Sequence, residues 1–452
     1  MAVQTRADEL AALDEAHLIH PLYHPKAQAG ALILERGEGV WLWDVNGNRY
    51  LDGLSSLWNV NVGHGRSELA QAAYEQMSRL AFNNSYTGFA NPPSIQLAAR
   101  LAELAPGDLN AVFFTSGGGE SNESAFKMAR YYHAVRGKPD KQKIIARHDA
   151  YHGVTTSAMA ATGMPIYWEN FGPRPPGFFH ALAPNPYRLG DNAEETAHLA
   201  LESIVEIVEH EGPDTIAAVI AEPVQGAGGV IIPPPAYLRG LRELCDRYDA
   251  LFIADEVITG FGRTGRWFGL EHVGLQPDIL SFAKGVTSGY VQLGGIIISR
   301  EIQETIAAQP LSTRWMHAYT YSAHPTACAV GLANVDLIER EGLVENAARM
   351  GERLAAGLRA LADHPIVGDA RSFGLLGRVE VVADKATKQP FELSQSAGNR
   401  IVAALRERGV LTRNRNDVIC LAPPLCINDE ELDFLLGALR GAIEQVTRDL
   451  GR

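Results

Sequence analysis

The chain has 452 residues, 46% of them hydrophobic, and a formal net charge of −13. This length exceeds what one small core can organise and favours a large α/β domain with a smaller companion. The acidic balance, without any block of Lys and Arg, argues against a nucleic-acid-binding protein, because neutralising phosphates requires a basic surface. The four cysteines show no CxxC pair and no metal-ligand spacing, so we expect reduced thiols and no metal site.

The start of the chain does not look like an export signal. Acidic residues stand where a signal peptide needs an apolar core, and no apolar run reaches the length of about 18 residues that spans a membrane. We therefore expect a cytoplasmic protein without membrane contact. Residues 1–18 are predicted to form a helix or an arm. The following segment, to about residue 53, indicates short antiparallel strands with turns at Gly37 and at Asn46-Gly47.

Helices and strands alternate from residue 67 to about residue 300. Ser67 is predicted to cap the helix Glu68–Leu80. Short apolar runs predict buried strands, including Ala111–Thr115, Lys143–Arg147, Ile216–Ala221, Leu251–Ala254 and Ile279–Phe282. Such alternation predicts a mostly parallel sheet covered by helices on both faces. The predicted domains are a large α/β domain at 67–323 and a small α+β domain built from 1–66 and 324–452.

Two opposite charges follow two of the buried strands, Asp255 after Leu251–Ala254 and Lys284 after the next apolar run. An unpaired buried charge is costly, so both side chains are expected to bind something between them. The glycine-rich segment Ser116–Ser124 (SGGGESNES) follows another strand and opens a helix, where an anion such as phosphate can bind. An ordinary strand–helix turn is an equal alternative for this segment, because it is neither a Walker loop nor GxGxxG.

These three features are expected at one edge of the sheet, since open α/β sheets bind ligands at the carboxyl ends of their strands. A desolvated lysine can be nucleophilic and can form a Schiff base with an aldehyde. An aspartate opposite the lysine could keep a pyridine nitrogen protonated. Phosphate, aldehyde and pyridine together describe pyridoxal 5′-phosphate (PLP).

The sequence around these charges resembles the signature of the class III aminotransferases, a family of PLP enzymes of fold type I. The resemblance is carried, in family order, by WLWDVNGNRYLDG, DAYHG at Asp149–Gly153, AEPVQGAGG at Ala221–Gly229, LFIADEVITGFGRTG at Leu251–Gly265, PDILSFAKGVTSGY at Pro277–Tyr290 and YTYSAHP at Tyr319–Pro325. It covers nearly the whole chain and is far more specific than a single motif. It implies an aspartate aminotransferase-like fold, with a large α/β domain and a smaller α+β domain.

The resemblance implies roles for the residues at matching positions. Lys284 would form the Schiff base with PLP and then shuttle the proton between substrate and cofactor, while Asp255 would pair with the pyridinium nitrogen. Val257 and Tyr151 would contact the two faces of the ring, with plain packing as the alternative for each. Glu222 would lie near the cofactor hydroxyl.

For the cofactor phosphate, the family pattern points to Gly118 and Gly119, where Gly119 replaces the more usual serine. Thr320 matches a threonine that reaches the phosphate from the neighbouring subunit. The resemblance therefore implies a homodimer, or a tetramer, with shared active sites and an inactive monomer.

The segment LDGLSSLWNVNVGHGR resembles the ω-aminotransferase branch, whose amines carry the amino group away from any α-carboxylate and whose usual acceptor is pyruvate. Trp58 would line the substrate pocket and Tyr86 would come from the partner chain, with core packing as the alternative for both. Ala227 would be a small residue at the pocket wall. Arg413 would bind the keto-acid carboxylate and swing away for uncharged amines, and Arg415 is the alternative.

The sequence thus predicts a PLP-dependent ω-aminotransferase that moves an amino group to pyruvate by a ping-pong mechanism through pyridoxamine phosphate. The donor stays open among β-alanine, taurine, 4-aminobutyrate, a diamine and an arylalkyl amine. An aminomutase or decarboxylase of the same fold is the nearest alternative. A nucleotide-binding oxidoreductase or a non-catalytic binding protein would leave Lys284 and Asp255 without a task.

Overall fold

The computed structural model describes residues 5–22, 24–28 and 30–452. Its helices are α1 (Arg6–His17), α2 (Pro25–Gln28), α3 (Ser55–Trp58), α4 (Ser67–Leu80), α5 (Pro92–Leu104), α6 (Gly118–Val135), α7 (Thr156–Ala161), α8 (Ala193–Glu211), α9 (Pro235–Arg247), α10 (Arg300–Ala307), α11 (Pro325–Arg340), α12 (Leu343–Arg359), α13 (Ala397–Glu407) and α14 (Asp429–Asp449). Its strands are β1 (Leu34–Glu38), β2 (Trp41–Asp44), β3 (Arg49–Asp52), β4 (Leu109–Thr115), β5 (Lys143–Arg147), β6 (Phe178–Ala181), β7 (Ile216–Ala221), β8 (Leu251–Asp255), β9 (Ile279–Phe282), β10 (Gly294–Ser299), β11 (Val367–Phe373), β12 (Leu376–Val381), β13 (Val410–Leu411), β14 (Arg413–Arg415) and β15 (Val418–Leu421).

The central sheet has seven strands in the order β4-β10-β9-β8-β7-β5-β6. Only β10 runs antiparallel to its neighbours. Every residue of β7, β8, β9 and β10 is buried, as expected for strands covered on both faces. Helices α8 and α9 cover one face, where Tyr237 and Phe252 belong to the same apolar cluster, and α6 and α10 cover the other. The prediction of a mostly parallel, helix-covered sheet is confirmed.

The parallel strands bring their carboxyl ends to one edge of this sheet. β8 ends at Asp255, and a single 3-10 turn, Lys284–Val286, follows β9. Glu222 comes directly after β7, and α6 begins at Gly118 shortly after β4. Residues from four distant parts of the sequence therefore meet at one crevice, where open α/β sheets bind ligands.

The two ends of the chain build two smaller sheets. β1, β2 and β3 form one of them with β13, which joins β3 in parallel. β11, β12, β15 and β14 form the other, in that order. The residues of α12, α13 and α14 that face these sheets belong to one large apolar cluster with Leu51 and Ile419. The first and last parts of the chain therefore share one core.

Two local predictions are wrong. Gly37 lies inside β1, opposite Leu42, and the chain turns at Gly39, whose φ of 56° suits a glycine. Ser67 is the first residue of α4, and Arg66 occupies the N-cap without a side-chain hydrogen bond. Gly37 and Gly39 are equally suited to a turn, so the strand pairing decides between them. Helix ends inferred from cap preference are uncertain by one or two residues, and here the helix begins one residue earlier than the preferred cap indicates.

Residues 1–4 of the predicted N-terminal arm lie outside the described residues, and α1 occupies most of the remainder. Within the described ranges, no helix combines the length and the apolar character that crossing a membrane requires.

Candidate active site

Asp255 lies at the end of β8 with 3% of its surface exposed. Its Oδ2 accepts hydrogen bonds from Asn122 Nδ2 at 2.8 Å and from His152 Nδ1 at 2.7 Å, and its Oδ1 accepts one from the Val257 N–H at 3.1 Å. Burial by itself raises the pKa of this carboxyl, but His152 and the other donors outweigh burial and hold the pKa of Asp255 below its usual value. The side chain is therefore a fixed negative charge at the crevice.

Lys284 opens the turn after β9 with a backbone φ of 48°. A left-handed conformation costs a non-glycine residue about 1–3 kcal/mol and is concentrated at functional sites. Burial lowers the pKa of Lys284 from 10.5 to about 8; Asp255 and Glu222 oppose this shift, and Arg413 adds to it. A large fraction of the amine is therefore neutral and nucleophilic in mildly alkaline solution.

The lowered pKa of Lys284 predicts how the cofactor-free protein reacts with an aldehyde. Only the neutral amine attacks, so the rate of reaction with PLP should rise with pH, reach half its maximum near pH 8 and then level off. Stopped-flow absorbance at a series of pH values measures this midpoint. Arg413→Ala should move the midpoint upward, since the charge of Arg413 helps to lower the pKa. A rate still rising near pH 10 in the unmodified protein would contradict the prediction.

The start of α6 offers a cradle for an anion. Its N-cap, Gly117, is extended and supplies no side-chain hydrogen bond, and the first N–H groups of a helix have no partner within it. A Cβ placed on Gly118 would lie 3.0 Å from Cγ1 of Val257, so glycine lets the loop approach Val257 closely. A Cβ on Gly119 would have its nearest neighbour 3.8 Å away, at Gly153. The cradle therefore packs against Val257 while leaving room beside Gly119.

Glu222 and Tyr151 lie beside each other after β7 and β5. The Tyr151 N–H is 3.3 Å from Glu222 Oε1, and Glu222 Oε2 accepts the Gly226 N–H at 2.9 Å. Burial raises the pKa of Glu222. The partly buried Tyr151 ring is tilted by 60° against Tyr167, with centroids 5.3 Å apart. Ala227 follows Gly226 in the same turn and is partly exposed.

Trp58, Lys284 and Arg413 lie together in the crevice. The centroid of the buried Trp58 ring is 5.9 Å from Lys284 Nζ and 5.2 Å from the guanidinium carbon of Arg413. Cations at these distances are attracted by the ring face. Arg415 instead lies 3.8 Å from Asp149, Nη2 to Oδ1. The structure therefore places Arg413 beside the predicted nucleophile and gives Arg415 a different partner.

Thr320 and Tyr86 lie on the surface of the single chain. Thr320 is exposed and Tyr86 is 50% exposed. Several other large apolar side chains of the same two stretches are also exposed, namely Phe82, Phe89, Leu311, Met316 and Tyr321. The rings of Phe82 and Tyr321 are in contact, so the two stretches meet on the surface. A group of large exposed apolar side chains is typical of an interface between proteins.

Reasoning from the sequence misses Asn122 and His152 as partners of Asp255. Asn122 belongs to SGGGESNES and His152 to DAYHG, two motifs whose sequence signal comes from other residues. His152 is buried, and Asn122 also donates to its carbonyl oxygen at 2.8 Å. Their contacts with Asp255 bridge 133 and 103 positions, which only the fold reveals.

The crevice contains the groups that PLP needs. The start of α6 can hold a phosphate, Asp255 can face a protonated ring nitrogen, and Lys284 can react with the aldehyde. The close approach of Gly118 to Val257 brings the phosphate cradle next to a residue suited to a ring face. The residues present therefore fit the cofactor.

Comparisons with known proteins identify the family of the chain. Residues 22–443 match the sequence profile of the family Aminotransferase class-III. The chain is 39% identical over 442 residues to the putrescine–pyruvate aminotransferase of Pseudomonas aeruginosa, covering 97% of this chain and 96% of the relative. Its structure is similar to that of an (S)-enantioselective ω-transaminase from Thermomicrobium roseum, with a TM-score of 0.95, 51% identity, and coverage of 98% of this chain and 100% of that chain.

An ω-transaminase from Pseudomonas jessenii, solved in complex with PMP, also matches with a TM-score of 0.95 and 38% identity, over 98% of this chain and 99% of that chain. These comparisons confirm the predicted family, fold and cofactor. The chain belongs to the class III aminotransferases and is a PLP-dependent enzyme of fold type I that acts on an amine and a keto acid.

Proposed function

We propose that this enzyme is an ω-aminotransferase that moves an amino group from an amine or ω-amino acid to pyruvate, by a ping-pong mechanism through pyridoxamine phosphate. The observation that carries the proposal is the arrangement of Trp58 and Arg413 around Lys284. An aromatic wall suits the uncharged part of an amine, and a guanidinium suits a keto-acid carboxylate. The similarity to a putrescine–pyruvate aminotransferase and to ω-transaminases supports this substrate class.

The protein's own groups have distinct tasks in this reaction. Bound PLP supplies the electron sink that stabilises negative charge on the substrate carbon. Lys284 Nζ holds the cofactor and, once released, carries the proton between the substrate carbon and the cofactor. Asp255, kept ionised by His152 and Asn122, holds the proton on the ring nitrogen. Trp58 shields the reacting atoms from water.

We propose the remaining cofactor contacts from the family pattern and from the closeness of these residues in the crevice. We assign the phosphate to the N–H groups of Gly118 and Gly119, and the two ring faces to Val257 and Tyr151. We assign Glu222, which is buried after β7, to the cofactor hydroxyl, as the family pattern implies. Ala227 forms part of the pocket wall.

The functional unit in this proposal is a homodimer. Thr320 would complete the phosphate site of the partner, and Tyr86 would line the partner's substrate pocket. Their exposure in the single chain, among other exposed apolar groups, supports this arrangement. We also propose that 67–323 forms the large domain, and that 1–66 and 324–452 form the small one. A cytoplasmic location stays a prediction from the sequence.

Arg413→Ala is expected to raise the KM for pyruvate by roughly 10- to 100-fold, because a charge-assisted hydrogen bond to a carboxylate is worth about 1.5–3 kcal/mol. The KM for an amine without a carboxylate, such as 1-phenylethylamine, should change little. Steady-state kinetics with each substrate varied in turn measures both effects. Arg415→Ala is the matched control, since Arg415 is engaged by Asp149. A larger effect of Arg415→Ala on pyruvate would reverse the assignment.

The proposed reaction is tested by its two halves. The PLP-loaded enzyme given an amine donor alone should lose the PLP absorbance stoichiometrically, and pyruvate should restore it. Putrescine, β-alanine, taurine, 4-aminobutyrate and 1-phenylethylamine, each with pyruvate or 2-oxoglutarate, form the panel. An aminomutase would turn over its substrate without any keto acid, and a decarboxylase would release carbon dioxide. Failure of every donor to drive the cycle would reject the proposal.

A further inference from the structure

The segment that carries Trp58, residues 53–61, has an unusual backbone. Ser55, Ser56 and Trp58 have positive φ values of 48°, 55° and 57°, and Ser56 combines its φ with a ψ of −74°. Residues with a side chain avoid these conformations and keep them only where the surrounding structure leaves no alternative. Groups outside the segment must therefore hold it in place.

Asp52 holds the beginning of the segment. This buried carboxylate accepts the Ser56 N–H at 2.9 Å on Oδ1 and 2.7 Å on Oδ2, and the Leu54 N–H at 3.2 Å on Oδ1. His64 Nε2 lies 2.8 Å from Oδ2 and orients the carboxylate from the other side. Two amides of the strained segment are thus fixed by one side chain that lies before it in β3.

Arg263 holds the segment from the opposite direction. Its buried guanidinium donates from Nη2 to Ser55 Oγ at 2.8 Å and to Asn61 Oδ1 at 2.9 Å, and from Nη1 to the Pro423 carbonyl at 2.5 Å. Across the described ranges, no carboxylate lies within ion-pair distance of Arg263. A buried cation without such a partner is costly, and these hydrogen bonds to neutral acceptors offset that cost.

The end of the segment rests on the turn of Lys284. Asn61 Nδ2 donates to the Phe261 carbonyl at 2.9 Å, and a Cβ on Gly285 would lie 2.6 Å from that same Nδ2. Asn61 is therefore packed directly against the residue that follows Lys284. Because Trp58 lies within this fixed segment, the distance between its indole and Lys284 Nζ is set by the contacts at both ends.

We propose that Asp52 and Arg263 are positioning residues that hold Trp58 against the pocket and thereby set the largest amine that the enzyme accepts. This inference rests on the proposed function, because it takes the crevice beside Trp58 as the amine pocket. When either holding group is weakened, the strained backbone relaxes towards ordinary φ values. Trp58 then moves away from Lys284, and a bulkier amine fits.

The test uses Asp52→Asn and Arg263→Lys in the PLP-loaded enzyme, with pyruvate as acceptor. Asparagine keeps the shape but turns one acceptor into a donor. Lysine keeps the charge but has one nitrogen, which cannot take the places of both Nη1 and Nη2. The ratio of kcat/KM for 1-phenylbutylamine over 1-phenylethylamine should rise about tenfold, the discrimination that a methylene or two confers in an apolar pocket. This rise should come mainly from a lower KM for the larger amine.

Asp44→Asn is the matched control. Asp44 is also a buried carboxylate that accepts backbone N–H groups, those of Asn46 and Asn48, but it holds the β2–β3 turn. Asp44→Asn should lower the stability of the protein without changing the ratio of kcat/KM for the two amines. If Asp52 and Arg263 had a purely structural role, their variants would likewise lower kcat/KM for both amines by the same factor. An unchanged ratio would overturn the proposal.

A second measurement does not depend on catalysis. The enzyme labelled with 5-fluorotryptophan contains six fluorinated residues, and Trp58→Phe identifies the Trp58 resonance. That resonance should shift in Asp52→Asn and Arg263→Lys and stay in place in Asp44→Asn. If the unmodified enzyme does not transaminate amines, the proposed function fails, and the resonance still decides whether the two residues hold Trp58. If Arg263→Lys does not fold, Ser55→Ala removes one of its contacts and serves the same comparison.

Discussion

Lys284→Ala is expected to lower turnover by about 10⁴-fold or more, because it removes both the nucleophile and the group that moves the proton. The neighbouring guanidinium of Arg413 cannot replace it, because this group offers only hydrogen-bond donors and no electron pair that could attack an aldehyde. The variant should still bind PLP, held by the start of α6 and by Asp255. Single-turnover kinetics measures the loss of activity, and equilibrium dialysis measures the retained cofactor.

Borohydride reduction followed by peptide mapping locates the reactive lysine directly. In the unmodified enzyme PLP should be trapped on Lys284 alone. Lys141 is the matched comparison, because it is also a buried lysine with a lowered pKa but donates to the carbonyl oxygens of Pro213, Ile216 and Tyr248. Label on Lys141, or turnover by Lys284→Ala near the unmodified rate, would refute the assignment of the catalytic lysine.

Asp255→Asn is expected to lower kcat by about 10²–10³-fold, the effect of removing one preorganised charge at a reacting centre. Asparagine is nearly the same size but carries no charge, so it cannot keep the ring nitrogen protonated. It also leaves His152 and Asn122 without the ionised acceptor that they now share. The variant should fold and bind PLP while its half-reactions slow, as rapid-mixing absorbance would record.

Glu256→Gln is the control for this substitution. Glu256 is the next residue and is equally buried, but it accepts hydrogen bonds from Thr259 and from the N–H groups of Gly269 and Leu270. Burial raises the pKa of Glu256 to about 7, so it is partly neutral already. Glu256→Gln should therefore change kcat little. Equal losses in the two variants would show that Asp255 acts only through packing.

The reaction centre could be predicted because local sequence determines it. Asp255 and Lys284 each follow a short apolar run of the kind that predicts a buried strand, and parallel strands end at the same edge. The glycines before α6 mark a strand–helix turn for a similar reason. Such short apolar runs and glycine turns can be recognised in the sequence because they depend only on neighbouring residues.

The groups that tune the centre could not be predicted in the same way. His152, Asn122 and Arg263 look like ordinary polar residues in their own segments, and their partners lie more than a hundred positions away. The strained φ values of Ser55 and Ser56 leave no sequence signal, because serine carries no preference for them. Tertiary contacts alone create these features.

The hydrogen bonds that join Gly53 and Ser55 to Ala422 also bear on how the protein is made. Ser55 Oγ donates to the Ala422 carbonyl across 367 positions, and the Ala422 N–H donates to the Gly53 carbonyl at 2.7 Å. All strands of the central sheet lie before residue 300, so they leave the ribosome well before Ala422 does. Contacts between distant parts of a chain form late, because the intervening loop must close first. The strands of the central sheet can therefore pair in the nascent chain before Gly53 and Ser55 meet Ala422, and the segment that carries Trp58 gains these contacts only once the C-terminal part of the chain has been made.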